Sequence, residues 1–444
     1  LKAPFVAPGR SSRIVSLPVR PEEDMQIHVL FILAQSAVVA AGLSCVDESG
    51  AGVDWWFMVK HPVAAGAGSG TDYVFATSKD ASALSSSSKQ VTDADSLLGK
   101  QLAGIYSGSA PNYVLYNDQT PDGKYSTDYG HSKGFFAYDN KSGFWVQHSV
   151  PHFPNYVKDG YLYGHGQEMY GQHAFCMTVP PDSINDLASV MKYSNGWIYD
   201  HKTDGTLSNV EDIVNGKTVA TGTVVKDVTT AWGTLKLMGK TVAFNQDMLQ
   251  QIVAPTLKQN MLYQSWLNTG GKLGPYCPSS GFDVFDITSL HISSSDTHDT
   301  HNDHSKWAVS KATSSTWVCG VDNNHVESQY KRSGLAVCIE NESLSRLMRA
   351  TAAETNTCEA PSPSPGPSPP SPPSPSPPSP SPGKCCYYTA SSTACSAGEI
   401  CCSGSGASYE SASTCSRYGV KHNCKWTGKQ CIVTGGNASV ALLI

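Results

Sequence analysis

The chain has 444 residues, 15% of them charged and 40% hydrophobic, enough to bury a sizeable core in one large domain or two fused halves. Its formal net charge is −6 with the 14 histidines neutral and +8 with all of them protonated. Charge therefore speaks against a polyanion-binding surface at neutral pH but leaves one open in acid, below the ordinary histidine range.

Residues 1–24 show no hydrophobic period and are read as a non-native upstream segment. Met25 opens an apolar run that ends in small residues, and residues 25–42 have the build of a secretory signal peptide, with cleavage expected between Ala40 and Ser44. His28 and Gln35 interrupt the run, and no other stretch reaches the ~20 apolar residues a span requires, so no stable membrane insertion is expected.

The body, residues 43–358, alternates strand and helix signals and reads as α/β or mixed α+β. Strands are expected at 54–60 (DWWFMVK), 73–75 and 112–119, with a hairpin at 134–138 and 143–148 around the loop DNKSG. The polar stretch through residue 90 reads as a loop. Pro180-Pro181-Asp182 reads as the cap of a helix over 183–193, and a second helix is expected over 245–268. Residues 359–384 form a Pro/Ser-rich linker, whose 361–382 stretch holds 13 of the 27 prolines and predicts an extended polyproline spacer. Residues 385–444 are a small module whose eight cysteines stand in for a core. The other six cysteines, Cys45, Cys176, Cys277, Cys319, Cys338 and Cys358, lie in the body, and even counts on both sides of the linker point to disulfides in an oxidising compartment. Sequons at Asn140, Asn341 and Asn437 fit a secreted glycoprotein.

Two His-x-Lys units stand 173 residues apart, His131-Ser132-Lys133 and His304-Ser305-Lys306. Side chains at i and i+2 share a strand face, so each pair would point at one phosphate. One imidazole can attack phosphorus, the other can protonate the leaving oxygen, and two lysines can hold the charge that develops. The residues thus predict metal-free phosphodiester cleavage by a site assembled from two halves.

The segments VDWWFMVK, YNDQ (Tyr116–Gln119), GHSKG, SGFWVQHSVPHFP, YGQHAFC, DHSKWAV and WVCGVDNN together make the body resemble deoxyribonuclease II, an acid endonuclease family of the phospholipase D superfamily. The resemblance implies a pseudo-symmetric body of two halves facing across a DNA-sized cleft. It also implies hydrolysis of DNA in acid without metal or cofactor, leaving 3′-phosphate and 5′-hydroxyl ends. Carried onto this sequence, it makes His131 and Lys133 the first catalytic motif and His304 and Lys306 the second, with His131 as nucleophile and His304 as general acid. His148 matches a further functional histidine, for which catalytic support and buried packing are both open. Gln119, Asn324 and Arg332 are implied substrate contacts, and Cys45–Cys176, Cys277–Cys358 and Cys319–Cys338 are the implied disulfides. The superfamily's acid seven residues after the motif histidine is replaced by Tyr138, with Asp139 one later, which leaves open what orients each imidazole. His325 stands where the family has an arginine, so a phosphate contact there would become pH-dependent.

Two other classes remain. His298, Asp299, His301, Asp303 and His304 could form the metal cluster of a metal-dependent phosphodiesterase, or only a polar loop. A secreted wall or matrix protein whose tail contacts glycan or cell wall is the non-catalytic alternative. The sequence leaves the oligomeric state open.

Overall fold

A computed structural model describes residues 42–358, apart from 64–68, 165, 269, 294 and 295, together with two short strands near the C-terminus. The upstream segment, the signal peptide, the linker, Asn437 and nearly all of the cysteine-rich module lie outside the described residues. The chain divides into two compact units, Leu1–Ala360 and Pro361–Ile444. In the second, Cys424–Trp426 and Cys431–Val433 pair antiparallel.

The first unit is a mixed α/β body with two large sheets. Its first part runs β1 (Cys45–Val46), β2 (Gly52–Val53), β3 (Trp55–Lys60), β4 (Asp72–Thr77), β5 (Asp80–Gln90), α1 (Leu97–Tyr106), β6 (Asn112–Asn117), β7 (Lys133–Tyr138), β8 (Gly143–His148), β9 (Gln172–Val179), α2 (Pro181–Ser194) and β10 (Ile198–Lys202). Strands of this part form an antiparallel sheet of order β10-β6-β7-β8-β9-β3-β4-β5. Then follow α3 (Ser208–Val214), β11 (Thr223–Thr230), β12 (Gly233–Lys240), α4 (Ala254–Leu257), β13 (Met261–Gln264), β14 (Val284–Ser293), β15 (Asp296–Asp299), β16 (Trp307–Ser310), β17 (Trp317–Val321), β18 (Gly334–Glu340), α5 (Glu342–Thr351) and β19 (Ala352–Thr355). These strands make the second sheet, of order β11-β12-β18-β17-β16-β13-β14-β15, with β19 also on β14 and β13–β14 its parallel pair.

The central strands are apolar along nearly their whole length because both of their faces are buried. Alternate side chains divide accordingly. Trp55, Phe57 and Val59 of β3, with Phe136 and Tyr138 of β7, join Trp307 and Val309 of β16 and Leu335, Val337 and Ile339 of β18 in a core shared by both sheets and by α2, α3 and α5. Trp56, Met58, Phe135 and Ala137 point the other way, into a core roofed by α1. Ala308, Cys319, Ala336 and Cys338 do the same in the second sheet, against Leu249 to Leu257. Where the sheets meet directly they need a bare backbone. A Cβ on Gly320 of β17 would lie 2.0 Å from Oε1 of Gln147 on β8.

The expected strands, hairpin and first helix form, the helix starting at Pro181 and ending on a left-handed Asn195. Two expectations are corrected. The polar run before residue 90 is a strand, β5, at the sheet's edge, where serines face solvent and no apolar alternation is required. The helix expected over 245–268 is only a π-turn, Leu249–Val253, running into α4. Pro255 has no N–H to continue an α-helical ladder, Lys258 turns left-handed, and the next residues are the buried strand β13 between β14 and β16.

The three implied disulfides are present: Cys45–Cys176, Cys277–Cys358 and Cys319–Cys338. Cys45–Cys176 closes a separation of 131 residues and Cys319–Cys338 one of 19. Loop-closure entropy then predicts that replacing the first pair by alanine lowers the unfolding free energy by about 5 kcal/mol and the second by about 3 kcal/mol. Urea denaturation of the two double variants checks this order.

Candidate active site

Each triplet leads into a strand of its own sheet. His131-Ser132-Lys133 runs into β7, and His304-Ser305-Lys306 runs into β16. The two meet at a cleft of about 390 Å3 whose lining includes His131, Lys133, His304, Lys306, Gln119, Asn324 and Arg332. Four expected catalytic groups and three expected substrate contacts thus share one space. His148 lies elsewhere, on the outer face of β8 and packed against Phe135 and Phe153. Its Nδ1 accepts the Val150 N–H at 3.2 Å, and burial holds it well below the usual histidine range.

Sequence reasoning did not single out Asp118, which organises the first motif. In the β6–β7 register Asn117 is opposite Lys133, which carries the next residue, Asp118, to the mouth of the motif. Its Oδ2 lies 3.0 Å from His131 Nδ1 and accepts from Arg332 Nη2 at 2.8 Å, while its Oδ1 pairs with Lys133 Nζ. Although burial alone would raise Asp118, Lys133 and His131 hold it well below the carboxylate range. Asp139, the nearest match to the superfamily acid, instead accepts from the N–H groups of Lys141 and Ser142 in the β7–β8 turn. Gly130 closes the approach to the motif, since a Cβ there would lie 1.8 Å from Ser194 O.

The second imidazole is held differently. His304 stacks on Tyr170 (centroids 4.1 Å apart, planes at 12°) and meets Trp266 at 4.3 Å. Its backbone N–H donates to Gly171 O at 2.8 Å. Burial, with Lys133 adding to the effect on the first and Lys306 to that on the second, lowers His131 and His304 to about 3. Lys306 falls to about 7, first by burial and then by the neighbouring Lys133.

A buried polar chain joins the motifs underneath. Ser132 Oγ donates to Asp322 Oδ2, Gln147 Nε2 to Asp322 Oδ1 at 3.0 Å, and the Lys306 N–H to His173 Nδ1 at 3.1 Å. His173 Nε2 lies 3.4 Å from Gln147 Oε1 and completes the chain. Burial raises Asp322 to about 6. Around the cleft, His304 Nε2, Ser305 Oγ and Asn324 Oδ1 are buried without a hydrogen-bond partner.

The remaining expectations resolve by position. His325 is turned into the core with Nδ1 2.6 Å from Asp286 Oδ1, so the pH-dependent phosphate contact expected of it does not follow from its place. Arg332 lines the cleft but already spends donors on Asp118 and on Tyr129 O. Among the described residues the histidine-rich run forms internal pairs, His298 with Asp296 and Asp303, and His301 with Asp299. Cys277, Asp283 and Cys358 also lie close together, but the two cysteines are joined to each other. Asn140 is exposed in the β7–β8 turn, and Asn341 caps α5 through its Oδ1. No helix among the described residues is long and apolar enough to cross a membrane.

The family model for deoxyribonuclease II matches residues 44–358. The chain is 29% identical over 350 residues to cell-death-related nuclease 7 of Caenorhabditis elegans, covering 75% of this chain and 94% of that protein. It is 29% identical over 342 residues to plancitoxin-1 of Acanthaster planci (71% of this chain, 92% of that protein). It is 27% identical over 350 residues to deoxyribonuclease-2-alpha of Mus musculus (75% and 98%). The matched region contains both sheets, both triplets and every residue of the cleft. The chain belongs to the deoxyribonuclease II family of hydrolases.

Proposed function

We propose that this deoxyribonuclease is an acid endonuclease that cuts DNA through a phosphohistidine intermediate, without metal. The observation that carries the reading is the gathering of both His-Lys pairs and Arg332 in one cleft, with Asp118 on the first imidazole. Lys133, Lys306 and Arg332 supply three positive charges against Asp118 and Asp322, and the balance grows more positive below about pH 6 as Asp322 takes up a proton. A phosphodiester monoanion completes that set. The fixed cations then hold the charge that builds on phosphorus.

The unlike settings of the two imidazoles support the order of roles. Asp118 accepts from Nδ1–H of a neutral His131, which leaves Nε2 with its lone pair for attack, and His131's low pKa keeps it neutral in acid. Burial and Lys306 hold His304 at about 3 as well, so its proton must arrive with the substrate: the phosphate anion, with the stacked Tyr170 ring and the nearby Trp266, shifts it toward the imidazolium a general acid requires. Attack by His131 forms the N–P bond as the P–O5′ bond breaks, with His304 protonating the 5′ oxygen. Water, deprotonated by His304, then breaks the N–P bond and releases a 3′-phosphate. In this reading the two sheets are the pseudo-symmetric halves of a phospholipase D-like body, and His148 supports the site from the core. The protein travels the secretory route to an acidic vacuole, a lysosome or the exterior, glycosylated at its sequons, and its cysteine-rich tail contacts glycan or cell wall.

In plasmid nicking at pH 5 with excess EDTA, wild type cleaves while His131→Ala and His304→Ala each lose more than about 10³-fold. Unchanged cleavage by both variants, or a wild type that needs added metal, overturns the mechanism. Asp118→Asn keeps the shape but loses the carboxylate that orients His131, and should cost about 10²-fold in kcat under the same conditions.

The pH profile follows from Lys306. With a pKa of about 7 it is charged below that pH and neutral above, so kcat/KM should fall as pH rises through about 7. Lys306→Arg keeps its charge and should retain a larger share of its own pH 5 rate at pH 8 than wild type does.

A further inference from the structure

Behind the second motif lies a run of buried titratable side chains that the chemistry above does not use. His61, just after β3, meets Asp296 of β15 through Nδ1. Asp296 Oδ1 lies 2.7 Å from His298 Nδ1, and His298 Nε2 lies 3.0 Å from Asp303 Oδ2. The His298 side chain is 1% exposed and both carboxylates are fully enclosed. The other Asp303 oxygen accepts the N–H of Ser305, the centre of the second triplet, at 2.6 Å. A Cβ on Gly171 would sit 2.2 Å from Asp303 Oδ2, so this carboxylate packs on bare backbone.

A neutral imidazole has one N–H and can satisfy one of the two carboxylates. The other contact would set a lone pair against an anion in an enclosed space. Only the imidazolium donates to both. Among the described residues no other cationic side chain hydrogen-bonds to Asp303: His61 meets only Asp296, Lys60 Nζ donates to the carbonyls of His61, Gly70 and Glu168, and His173 Nδ1 is occupied by the Lys306 N–H. We propose that His298 is a positioning residue for the second motif, bridging Asp296 and Asp303 as an imidazolium and so fixing the turn from which His304 and Lys306 project. The proposal rests on the reading of those two residues as active-site groups.

The bridge suits acid. Burial opposes the charge on His298, but Asp296 and Asp303 raise it to about 9. Its stabilising share is therefore complete below the unfolded value near ~6.5 and is lost as pH rises through about 9. Burial would raise Asp296, but His298 and His61 lower it to about 2, so its share is lost only as pH falls through about 2. Between those limits the second motif keeps its anchor at pH values where an ordinary carboxylate contact weakens.

The test uses the full chain at pH 5 with EDTA, comparing wild type, His298→Gln, Asp303→Asn, the double variant and His304→Ala. His298→Gln should lower kcat at least about tenfold with little change in KM, because a displaced catalytic group costs turnover before it costs binding. In the double variant the two introduced amides can pair without charge, so its kcat should exceed the product of the two single effects. A folded His298→Gln with wild-type kcat, or strictly multiplicative effects, overturns the bridge while an inactive His304→Ala leaves the nuclease reading standing. An inactive wild type removes that reading and the proposal with it. Nitrogen NMR of histidine-labelled wild type reads the bridge directly, without relying on a variant that folds. Both His298 nitrogens should carry protons at pH 7, and a neutral ring there overturns the proposal.

Discussion

The site depends on one buried carboxylate. Asp118 is fully enclosed, yet it holds His131, Lys133 and Arg332 at once. Burying an anion is costly unless cations and donors surround it, and here they come from both parts of the body. Arg332 lies 214 residues further along the chain. The contact that orients the first imidazole is therefore also a clasp between the β6–β7 region and the segment before β18. Because its neighbours hold Asp118 well below the carboxylate range, the clasp persists in acid, where exposed carboxylates lose their charge.

The two motifs share a triplet but not an environment. His131 is oriented by an anion, and His304 by the faces of Tyr170 and Trp266 and a backbone bond to Gly171. The chain from Ser132 through Asp322, Gln147 and His173 to the Lys306 N–H links the two strand entries. Displacement of either entry would break bonds at the other. The absence of a side chain on Gly320 is part of the same arrangement, because the Gln147 amide fills that space. The core fixes the distance between the sheets, and the polar chain fixes their register at the cleft.

Much of this was legible in the sequence, and the rest was hidden for definite reasons. The triplets, the 133–148 hairpin and the helix after Pro180 carry local signals: i, i+2 spacing, a four-residue turn and a proline at N1. Asp118 sits in the quoted YNDQ segment but is 13 residues before His131, and only the pairing of Asn117 with Lys133 brings it into reach. Spacing along the chain pointed instead to Asp139, which the hairpin turn carries away. Tyr170 opens the quoted YGQHAFC segment, but it and Trp266 converge on His304 from separate connections, and no spacing along the chain pairs them with it. The strand β5 was hidden because an edge strand needs no apolar face, and β13 because a short buried strand and a helix segment share one composition.

Net charge is a poor guide to what this protein binds. A chain of charge −6 has a cleft lined by three cations, with two buried carboxylates, Asp118 and Asp322, behind them, and Asp322 takes up a proton near pH 6. Lys133 and Lys306 are gathered in one enclosed space rather than spread over a surface, and burial with that crowding makes Lys306 titrate near 7. On the proposed mechanism, acid dependence arises from the same burial that makes the cations strong: enclosure raises the cost of charge, and a proton supply is needed to keep it. A surface built from exposed lysines would bind DNA over a wider pH range but would lack the fixed, dry cations that phosphoryl transfer uses. On that mechanism, a restriction to acid and metal-free chemistry would have one cause.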